Sequence, residues 1–164
     1  MRVVFCHGLE GSPHGTKVQA MRAAGIDVLA PDFQGQVLAE RLQTLQGVLA
    51  GLDPAEPVLL AGSSYGGAVA AWTAMHSSHP FAGLLLLAPA IHYAEPPIPD
   101  PDAYAPVDLH TVIIHGTGDT IVPLSASAAY AARSERVTLI SVDDGHRLVG
   151  SLDRIIQTIQ AWPR

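Results

Sequence analysis

Short apolar runs alternate along the chain with segments in which apolar residues recur every three or four positions. The runs predict strands at 3–6, 27–30, 58–61, 83–88, 111–115 and 137–142. The intervening segments predict helices, most clearly from 37 to 52 and from 148 to 159, where apolar residues follow helical spacing. Alternation of this kind is typical of an α/β fold. We expect a three-layer α/β/α sandwich around a mainly parallel six-stranded sheet.

The chemistry of such a sheet is expected at one edge. Ligands of open parallel sheets bind beyond the carboxyl ends of the strands, so the loops that follow each strand matter most. In this chain those loops are residues 7–15, 62–67, 89–108, 116–123 and 143–147. A polar side chain in one of them is a stronger candidate for function than the same residue type elsewhere.

The sequence Gly62-Ser63-Ser64-Tyr65-Gly66-Gly67 joins the third predicted strand to an alanine-rich helix. Its G-x-S-x-G register predicts a very tight turn with Ser64 at strained backbone angles, because side chains at positions 62 and 66 would collide there. Such a turn exposes the serine hydroxyl at the end of the sheet, and it directs the first N–H groups of the helix towards it. We therefore predict that Ser64 is a nucleophile, whereas Ser63 lacks the glycine spacing.

Two further loops contain the partners that a serine nucleophile requires. A serine hydroxyl needs an imidazole to accept its proton, and the imidazole needs a carboxylate to fix its tautomer and stabilise its charge. Asp119 follows the fifth predicted strand and His146 follows the sixth, which gives the chain order Ser, Asp, His. We assign Ser64 as the nucleophile, His146 as general base and then acid, and Asp119 as the orienting carboxylate.

Other carboxylates and histidines fit these roles less well. Asp143 and Asp144 lie so close to the candidate base along the chain that reaching its far ring nitrogen is awkward, and Asp108 precedes its strand. His76 and His79 lie at a helix end, where histidine is favourable for the helix dipole. Neither an H-E-x-x-H motif nor a cysteine cluster accompanies them, so we predict no metal and no cofactor.

The loop after the first strand fits an oxyanion hole. His7-Gly8 directly follows the strand, and the glycine allows the backbone to pass close to the nucleophile. The donors would be the backbone N–H groups of Leu9 and Tyr65. For the side chain of His7 we expect a structural role.

These motifs together resemble the α/β-hydrolase superfamily. The resemblance is carried by His7-Gly8, the Ser64 turn, Gly116-Thr117-Gly118-Asp119 followed by Val122-Pro123, and Gly145-His146. The short chain, with Ser12-Pro13 in its first loop, is similar to the small YqiA-type bacterial esterases. The resemblance implies a single domain over residues 1–164 and a minimal, capless version of the fold. The proline-rich segment 91–108 stands where larger relatives insert a lid domain.

Segment 91–108 is expected to be irregular, because five of its residues are proline. Tyr93 and Tyr104 flank its prolines, and the segment leaves the carboxyl side of a strand, so we expect both tyrosines to line the mouth of the pocket and bind substrate. We also expect an acidic rim that disfavours strongly anionic acyl groups, formed by Glu95, Asp100 and Asp102.

Composition limits the partners. Hydrophobic residues make up 48% of the chain and charged residues 15%, which is typical of an ordered globular protein. The net charge is −6 and the basic residues are scattered, which argues against nucleic acid and membrane surfaces as partners. The single cysteine, Cys6, rules out an internal disulfide, and the first apolar run is too short for a signal peptide. We expect a soluble cytoplasmic protein, and a homo-oligomer is compatible with the sequence.

These features predict a serine hydrolase that cleaves small carboxylic esters through an acyl-enzyme intermediate. The three triad residues do not distinguish between leaving groups, so a thioesterase or an amidase remains an alternative function. A non-catalytic binding protein that keeps the fold also stays open, although the three triad residue types and the glycines of the turn argue against it.

Overall fold

A parallel sheet of six strands forms the centre of the computed structural model, which describes residues 1–163. The strands are β1 (Arg2–Cys6), β2 (Val28–Leu29), β3 (Val58–Ser63), β4 (Phe81–Leu87), β5 (Thr111–Gly116) and β6 (Val137–Val142). They lie in the order β2-β1-β3-β4-β5-β6, and every neighbouring pair is parallel. The predicted mainly parallel sheet of six strands is therefore confirmed.

Residues 1–163 contain five α-helices, of which four lie between strands and the fifth follows β6. They are α1 (Thr16–Ala23), α2 (Leu38–Ala50), α3 (Tyr65–His76), α4 (Leu124–Ala131) and α5 (Leu152–Gln160). Short 3-10 turns cover Pro101–Ala103 and Val149–Ser151. Among residues 1–163, no helix has the length and apolar character needed to cross a bilayer.

Helices cover both faces of the sheet because successive strand residues point to opposite sides. Val3 and Phe5 face one side and pack in a cluster with α1 and α5. Val4 and Cys6 face the other side and pack with α2, α3 and α4. The central run Leu84–Leu87 is buried on both sides, with each side chain at most 1% exposed. Burial of this kind stabilises the fold by roughly 1.5–3 kcal/mol for each leucine.

The last helix begins later than its apolar stripe predicted. Leu148 has a φ of 53°, which is a left-handed conformation that cannot continue an α-helix. The chain therefore passes through the 3-10 turn before α5 begins at Leu152. Ile155 and Ile159 still lie on the buried face of α5, as the stripe indicates.

The strand register brings the loops that contain the candidate residues to one edge of the sheet. Cys6 lies opposite Gly62, Ser63 lies opposite Leu87, and Gly116 lies opposite Val142. The strands therefore end at nearly the same level, and the loops after β1, β3, β4, β5 and β6 leave the sheet side by side.

Candidate active site

Ser64 lies in the turn between β3 and α3 with a φ of 55° and a ψ of −118°. A non-glycine residue at such angles is strained by about 1–3 kcal/mol. Hydrogen bonds hold it there: the Ser64 N–H donates to the Leu87 carbonyl at 2.9 Å, and the Ser64 carbonyl accepts from the N–H groups of Gly67 and Ala90, both at 2.9 Å. The strained turn is thus fixed by the strand beside it.

The glycines of this turn are required by close contacts. A Cβ on Gly62 would lie 2.2 Å from the Gly66 carbonyl oxygen, and a Cβ on Gly66 would lie 2.1 Å from the Cys6 carbonyl oxygen. These neighbours are backbone atoms of α3 and β1 and cannot move aside as a flexible side chain could. The G-x-S-x-G spacing therefore has the steric origin that the sequence indicated.

The side chains of Ser64, His146 and Asp119 form a continuous hydrogen-bonded series. The Nε2 atom of His146 lies 2.9 Å from the Ser64 Oγ atom, and its Nδ1 atom lies 2.8 Å from the Asp119 Oδ2 atom. Because a carboxylate only accepts, Nδ1 carries a proton and Nε2 of the neutral ring is free to accept the serine proton. The three predicted residues, from loops far apart in the chain, are in this way brought together.

The carboxylate of Asp119 is fully enclosed, with its side chain 0% exposed. Its Oδ1 atom accepts from the backbone N–H groups of Ile121 at 2.8 Å and Val122 at 2.9 Å. Burial alone would raise the pKa of this carboxyl, but the hydrogen bonds from His146 and the two N–H groups outweigh burial and hold it below its ordinary value. The geometry therefore favours an ionised carboxylate next to the imidazole.

A second histidine contacts the same carboxylate, which sequence reasoning missed. The Nε2 atom of the fully buried His115 lies 3.1 Å from both the Asp119 Oδ2 atom and the Val122 carbonyl oxygen. Both oxygens only accept, so Nε2 carries the proton, and Nδ1 accepts from the Ser127 hydroxyl at 2.8 Å. The feature of the sequence that could have identified this residue is a histidine inside the apolar strand β5. A buried imidazole must find hydrogen-bond partners, so such a histidine indicates a polar contact nearby.

The rival carboxylates are engaged elsewhere. Asp144 accepts from its neighbour's backbone, the Gly145 N–H, at 2.7 Å and from the Ser151 hydroxyl at 2.8 Å, which tie the loop to the start of the last helix. The exposed Asp108 pairs with Arg136 at 3.0 Å, before β5 begins. Neither of these carboxylates hydrogen-bonds to the His146 ring.

The first loop lies directly against the serine turn. A Cβ placed on Gly8 would be 3.4 Å from the Ser63 carbonyl oxygen and 3.6 Å from the Ser64 Cβ atom, which is van der Waals contact. The N–H of Tyr65, at the first residue of α3, has no acceptor within its own helix. Leu9 follows Gly8, and both residues that carry the expected oxyanion donors, Leu9 and Tyr65, line the same cavity as Ser64.

A cavity of about 1120 Å³ opens above Ser64 and His146. Tyr93 lines it and is 52% exposed, which agrees with the predicted position at the mouth. Tyr104 does not reach the cavity, so the prediction for this residue is wrong. Its side chain is 2% exposed and packs edge-on against Trp72 with ring centroids 6.1 Å apart. The proline-rich segment turns back onto α3 at this point, and burial of the ring in the core is the result.

The expected acidic rim is also wrong for two of its three carboxylates. Asp100 caps the 3-10 turn by accepting from the Ala103 N–H at 3.1 Å, and neither it nor Asp102 lines the cavity. Glu95 does line the cavity, but its carboxylate accepts from the Tyr65 hydroxyl and from the Leu38 N–H. Its carboxylate is therefore held by these two donors.

Three basic residues that sequence reasoning did not select line the cavity, namely Lys17, Arg41 and Arg147. The Lys17 ammonium donates to the Arg147 carbonyl at 2.7 Å. Burial, followed by the charge of Arg147, lowers the pKa of Lys17 to about 8. His92 lines the cavity as well, and burial lowers its pKa below the ordinary value. Within the described residues, no group of three or more His, Cys, Asp or Glu side chains is placed to hold a metal ion.

The sequence profile of the alpha/beta hydrolase family matches residues 3–110, about two thirds of the chain. The chain belongs to the alpha/beta hydrolase family. No curated protein matches it. The mainly parallel sheet of six strands with five helices is consistent with a minimal version of this fold.

Solved structures of other alpha/beta hydrolases are similar over nearly the whole chain. A protein of the alpha/beta hydrolase superfamily from Xanthomonas campestris pv. campestris is 27% identical with a TM-score of 0.79, and 98% of each chain is covered. Est1E from Butyrivibrio proteoclasticus is 20% identical with a TM-score of 0.77 over 97% of this chain and 85% of Est1E. The monoacylglycerol lipase of Paleococcus ferrophilus is 16% identical with a TM-score of 0.78 over 98% of this chain and 93% of the lipase. The likeness to the last two shows the fold.

Proposed function

We propose that this alpha/beta hydrolase is a serine esterase that cleaves small carboxylic esters through an acyl-enzyme intermediate. The observation that carries the proposal is the hydrogen-bonded series from the Ser64 hydroxyl through the His146 imidazole to the Asp119 carboxylate. Nucleophile, base and orienting acid at these distances are the arrangement that activates a serine hydroxyl. Structural neighbours described as lipolytic enzymes and as a monoacylglycerol lipase support ester bonds as the substrate class.

In the acylation step, Ser64 Oγ attacks the ester carbonyl carbon while His146 Nε2 takes the serine proton. The tetrahedral intermediate carries a negative oxygen, which would accept hydrogen bonds from the N–H groups of Leu9 and Tyr65. His146 then gives its proton to the leaving alkoxide oxygen, the C–O bond breaks and the alcohol departs. Asp119 holds the imidazole in the required tautomer and stabilises its positive charge throughout.

In the deacylation step, a water molecule replaces the alcohol. His146 removes a proton from the water as its oxygen attacks the acyl carbon, and a second tetrahedral intermediate forms. Collapse of that intermediate returns the proton to Ser64 Oγ and releases the carboxylic acid. All proton transfers use groups of the chain itself together with water.

The decisive experiment is the intact mass of the protein after incubation with a fluorophosphonate, which reacts with activated serines. We expect one adduct on the wild-type chain, none on Ser64→Ala, and one on Ser63→Ala. Ser63 is the matched control because it is the neighbouring serine but lies at the end of β3, 7% exposed. Absence of an adduct on well-folded wild type would overturn the proposal in favour of a binding protein that keeps the fold.

The bond that is cleaved needs a separate measurement. A panel in which one short acyl group is presented as ester, thioester and anilide separates the three reactions by kcat/KM. We expect the ester to be preferred, and a higher value for the thioester or the anilide would redirect the proposal to that class with the same three residues. Within the panel, a half-ester with a free carboxylate probes the cavity charges of Lys17 and Arg147.

A further inference from the structure

Arg41 is a buried arginine with an unusual set of partners. It lies on α2, is 1% exposed, and no carboxylate among residues 1–163 is within salt-bridge distance of its guanidinium. The donors instead point to backbone carbonyl oxygens. Nε lies 3.1 Å from the Gln36 oxygen, Nη1 lies 2.9 Å from that of His7 and 3.4 Å from that of Gly8, and Nη2 lies 3.5 Å from that of Leu9.

Three of those carbonyls are consecutive and belong to the loop after β1. The Gly8 oxygen also accepts from His7 Nδ1 at 2.8 Å and from the Gly11 N–H at 3.1 Å. His7 can donate there because its Nε2 atom accepts the Phe33 N–H at 3.0 Å, which leaves the ring proton on Nδ1. Several donors thus fix the direction of the Gly8 carbonyl.

The direction of that carbonyl also fixes the direction of the Leu9 N–H. The two groups belong to one planar trans peptide unit, in which C=O and N–H point in opposite directions. Donors gathered on the carbonyl side therefore turn the N–H away from Arg41, while Gly8 itself lies against the serine turn. The hydrogen bonds that hold the Gly8 carbonyl therefore also hold the Leu9 N–H, which is one of the two proposed oxyanion donors.

Arg41 also contacts the residue that carries the second donor. Its guanidinium carbon lies 4.7 Å from the centre of the Tyr65 ring, a cation–π contact. The Tyr65 hydroxyl donates to Glu95, so the ring is held at both its face and its tip. One side chain thereby touches both segments that present N–H groups to the candidate nucleophile.

We propose that Arg41 is a positioning residue that aligns the two oxyanion donors, the N–H groups of Leu9 and Tyr65. The inference rests on the proposed function, because it assigns a role within the same reaction. Arg41 borders the cavity but is only 1% exposed, and its hydrogen bonds go to backbone carbonyl oxygens, so it acts through the backbone. Its effect belongs to the tetrahedral intermediate, where negative charge develops, and not to the bound ester.

The test compares Arg41→Met and Arg41→Lys with the wild type. Methionine keeps the length of the side chain but donates no hydrogen bond, and we expect kcat to fall on the order of 10- to 100-fold, less than the 10²–10³ seen when an oxyanion donor is removed outright. KM should stay within about twofold, because ground-state binding does not use the oxyanion donors. Lysine retains a charge and can reach part of the carbonyl set, so Arg41→Lys should fall between the wild type and Arg41→Met.

A reversible trifluoromethyl ketone inhibitor separates alignment from general loosening. Its adduct with serine carries an alkoxide in the oxyanion position, so its Ki should rise by the same factor by which kcat falls. The matched control is Arg133→Met, since Arg133 donates to the Tyr104 carbonyl at 2.7 Å but does not line the cavity. Arg133→Met should leave kcat and Ki unchanged. Circular dichroism and thermal melting give the temperature at which each variant begins to unfold, and all assays are run below that temperature.

Each outcome has one meaning. A folded Arg41→Met with wild-type kcat and Ki would overturn the inference, as would an Arg133→Met control that changes kcat and Ki by the same factors as Arg41→Met. If the fraction of protein labelled by the fluorophosphonate and kcat fall by the same factor while Ki is unchanged, Arg41 contributes to stability alone. That result would also overturn the inference. Failure of the wild type itself to turn over ester or to bind the ketone would be failure of the proposed function, and it would be seen before any variant is compared.

Discussion

The turn around Ser64 and the segment 91–108 leave the same edge of the sheet and border the same cavity, but they are held differently. The turn is fixed by backbone contacts in which a single added carbon would meet a carbonyl at 2.1–2.2 Å. The segment is fixed by a few side chains, among them Tyr104 in the core and Glu95 on Tyr65. The comparison teaches that the turn admits only glycine at positions 62 and 66, whereas the sequence of the segment can be varied if its anchors remain.

The largest effect is expected where the hydrogen-bonded series of Ser64, His146 and Asp119 is broken without a change in side-chain shape. Asp119→Asn should lower kcat on the order of 10⁴-fold, because an amide can donate to His146 Nδ1 and leave Nε2 with the wrong proton. Steady-state kinetics on an ester measure it. Asp144→Asn is the control, since that carboxylate bonds to Gly145 and Ser151 and should keep kcat within about threefold. Near-normal rates for Asp119→Asn together with a large loss for Asp144→Asn would reverse the assignment of the acid.

A methyl group in the serine turn should have the next largest effect. Gly66→Ala places a carbon 2.1 Å from the Cys6 carbonyl oxygen, and we expect a loss of about 3 kcal/mol or more in the free energy of unfolding. Gly47→Ala is the matched control, because this glycine lies inside α2 with nothing within 4 Å of the added carbon. It should raise stability by about 0.5–1 kcal/mol. Urea unfolding measures both, and a Gly66→Ala as stable as wild type would refute the steric account.

The two tyrosines of the proline-rich segment should separate stability from binding. Tyr104→Ala removes a buried ring and should cost about 3 kcal/mol of unfolding free energy without changing KM. Tyr93→Ala removes an exposed ring at the cavity and should raise KM by about fivefold, equivalent to ~1 kcal/mol, with stability nearly unchanged. Thermal melts and steady-state kinetics on the same preparations decide. A KM effect confined to Tyr104→Ala would contradict the structural assignment.

The smallest effect is a pH dependence of stability. The pKa of Asp119 is lowered in the fold, so its ionised form stabilises the protein above the ordinary aspartate pKa of about 3.9, and this contribution is lost as pH falls through the lower folded-state pKa. The stability difference between the wild type and Asp119→Asn should therefore be largest near neutrality and shrink below about pH 4. Urea unfolding at pH 7 and at pH 3 measures it. A difference of equal size at both pH values would mean that the carboxylate charge does not contribute.

The parts of the molecule that sequence predicted are those fixed by local or topological constraints. The steric demand for glycine at 62 and 66 is a property of the turn alone, so it could be read from the spacing. The meeting of Ser64, Asp119 and His146 at one edge follows from parallel strands that all end on the same side. Their catalytic roles stay a prediction.

The parts that sequence did not predict depend on packing between distant segments. Whether a tyrosine in an irregular proline-rich segment faces the cavity or the core depends on where the segment turns back, and Tyr104 turns inward. Arg41 did carry a signal, because it falls on the buried stripe of α2 between Leu38 and Leu45. A charge on such a stripe indicates buried acceptors, but only the folded loop after β1 shows which carbonyls they are.

The strand order has a consequence for how the protein reaches its native state. No neighbouring strands are joined by a hairpin, and β1 pairs with β3 through contacts such as Arg2 with Val58, across all of α1, β2 and α2. Pairings so distant along the chain close late and slow the search for the native topology. The β1–β3 pairing is also the one that sets the loop after β1 beside Ser64. During synthesis, the loop after β1 therefore cannot reach its place beside Ser64 until β3 has emerged and paired with β1. Newly made chains expose the unpaired edge of β1 in that interval.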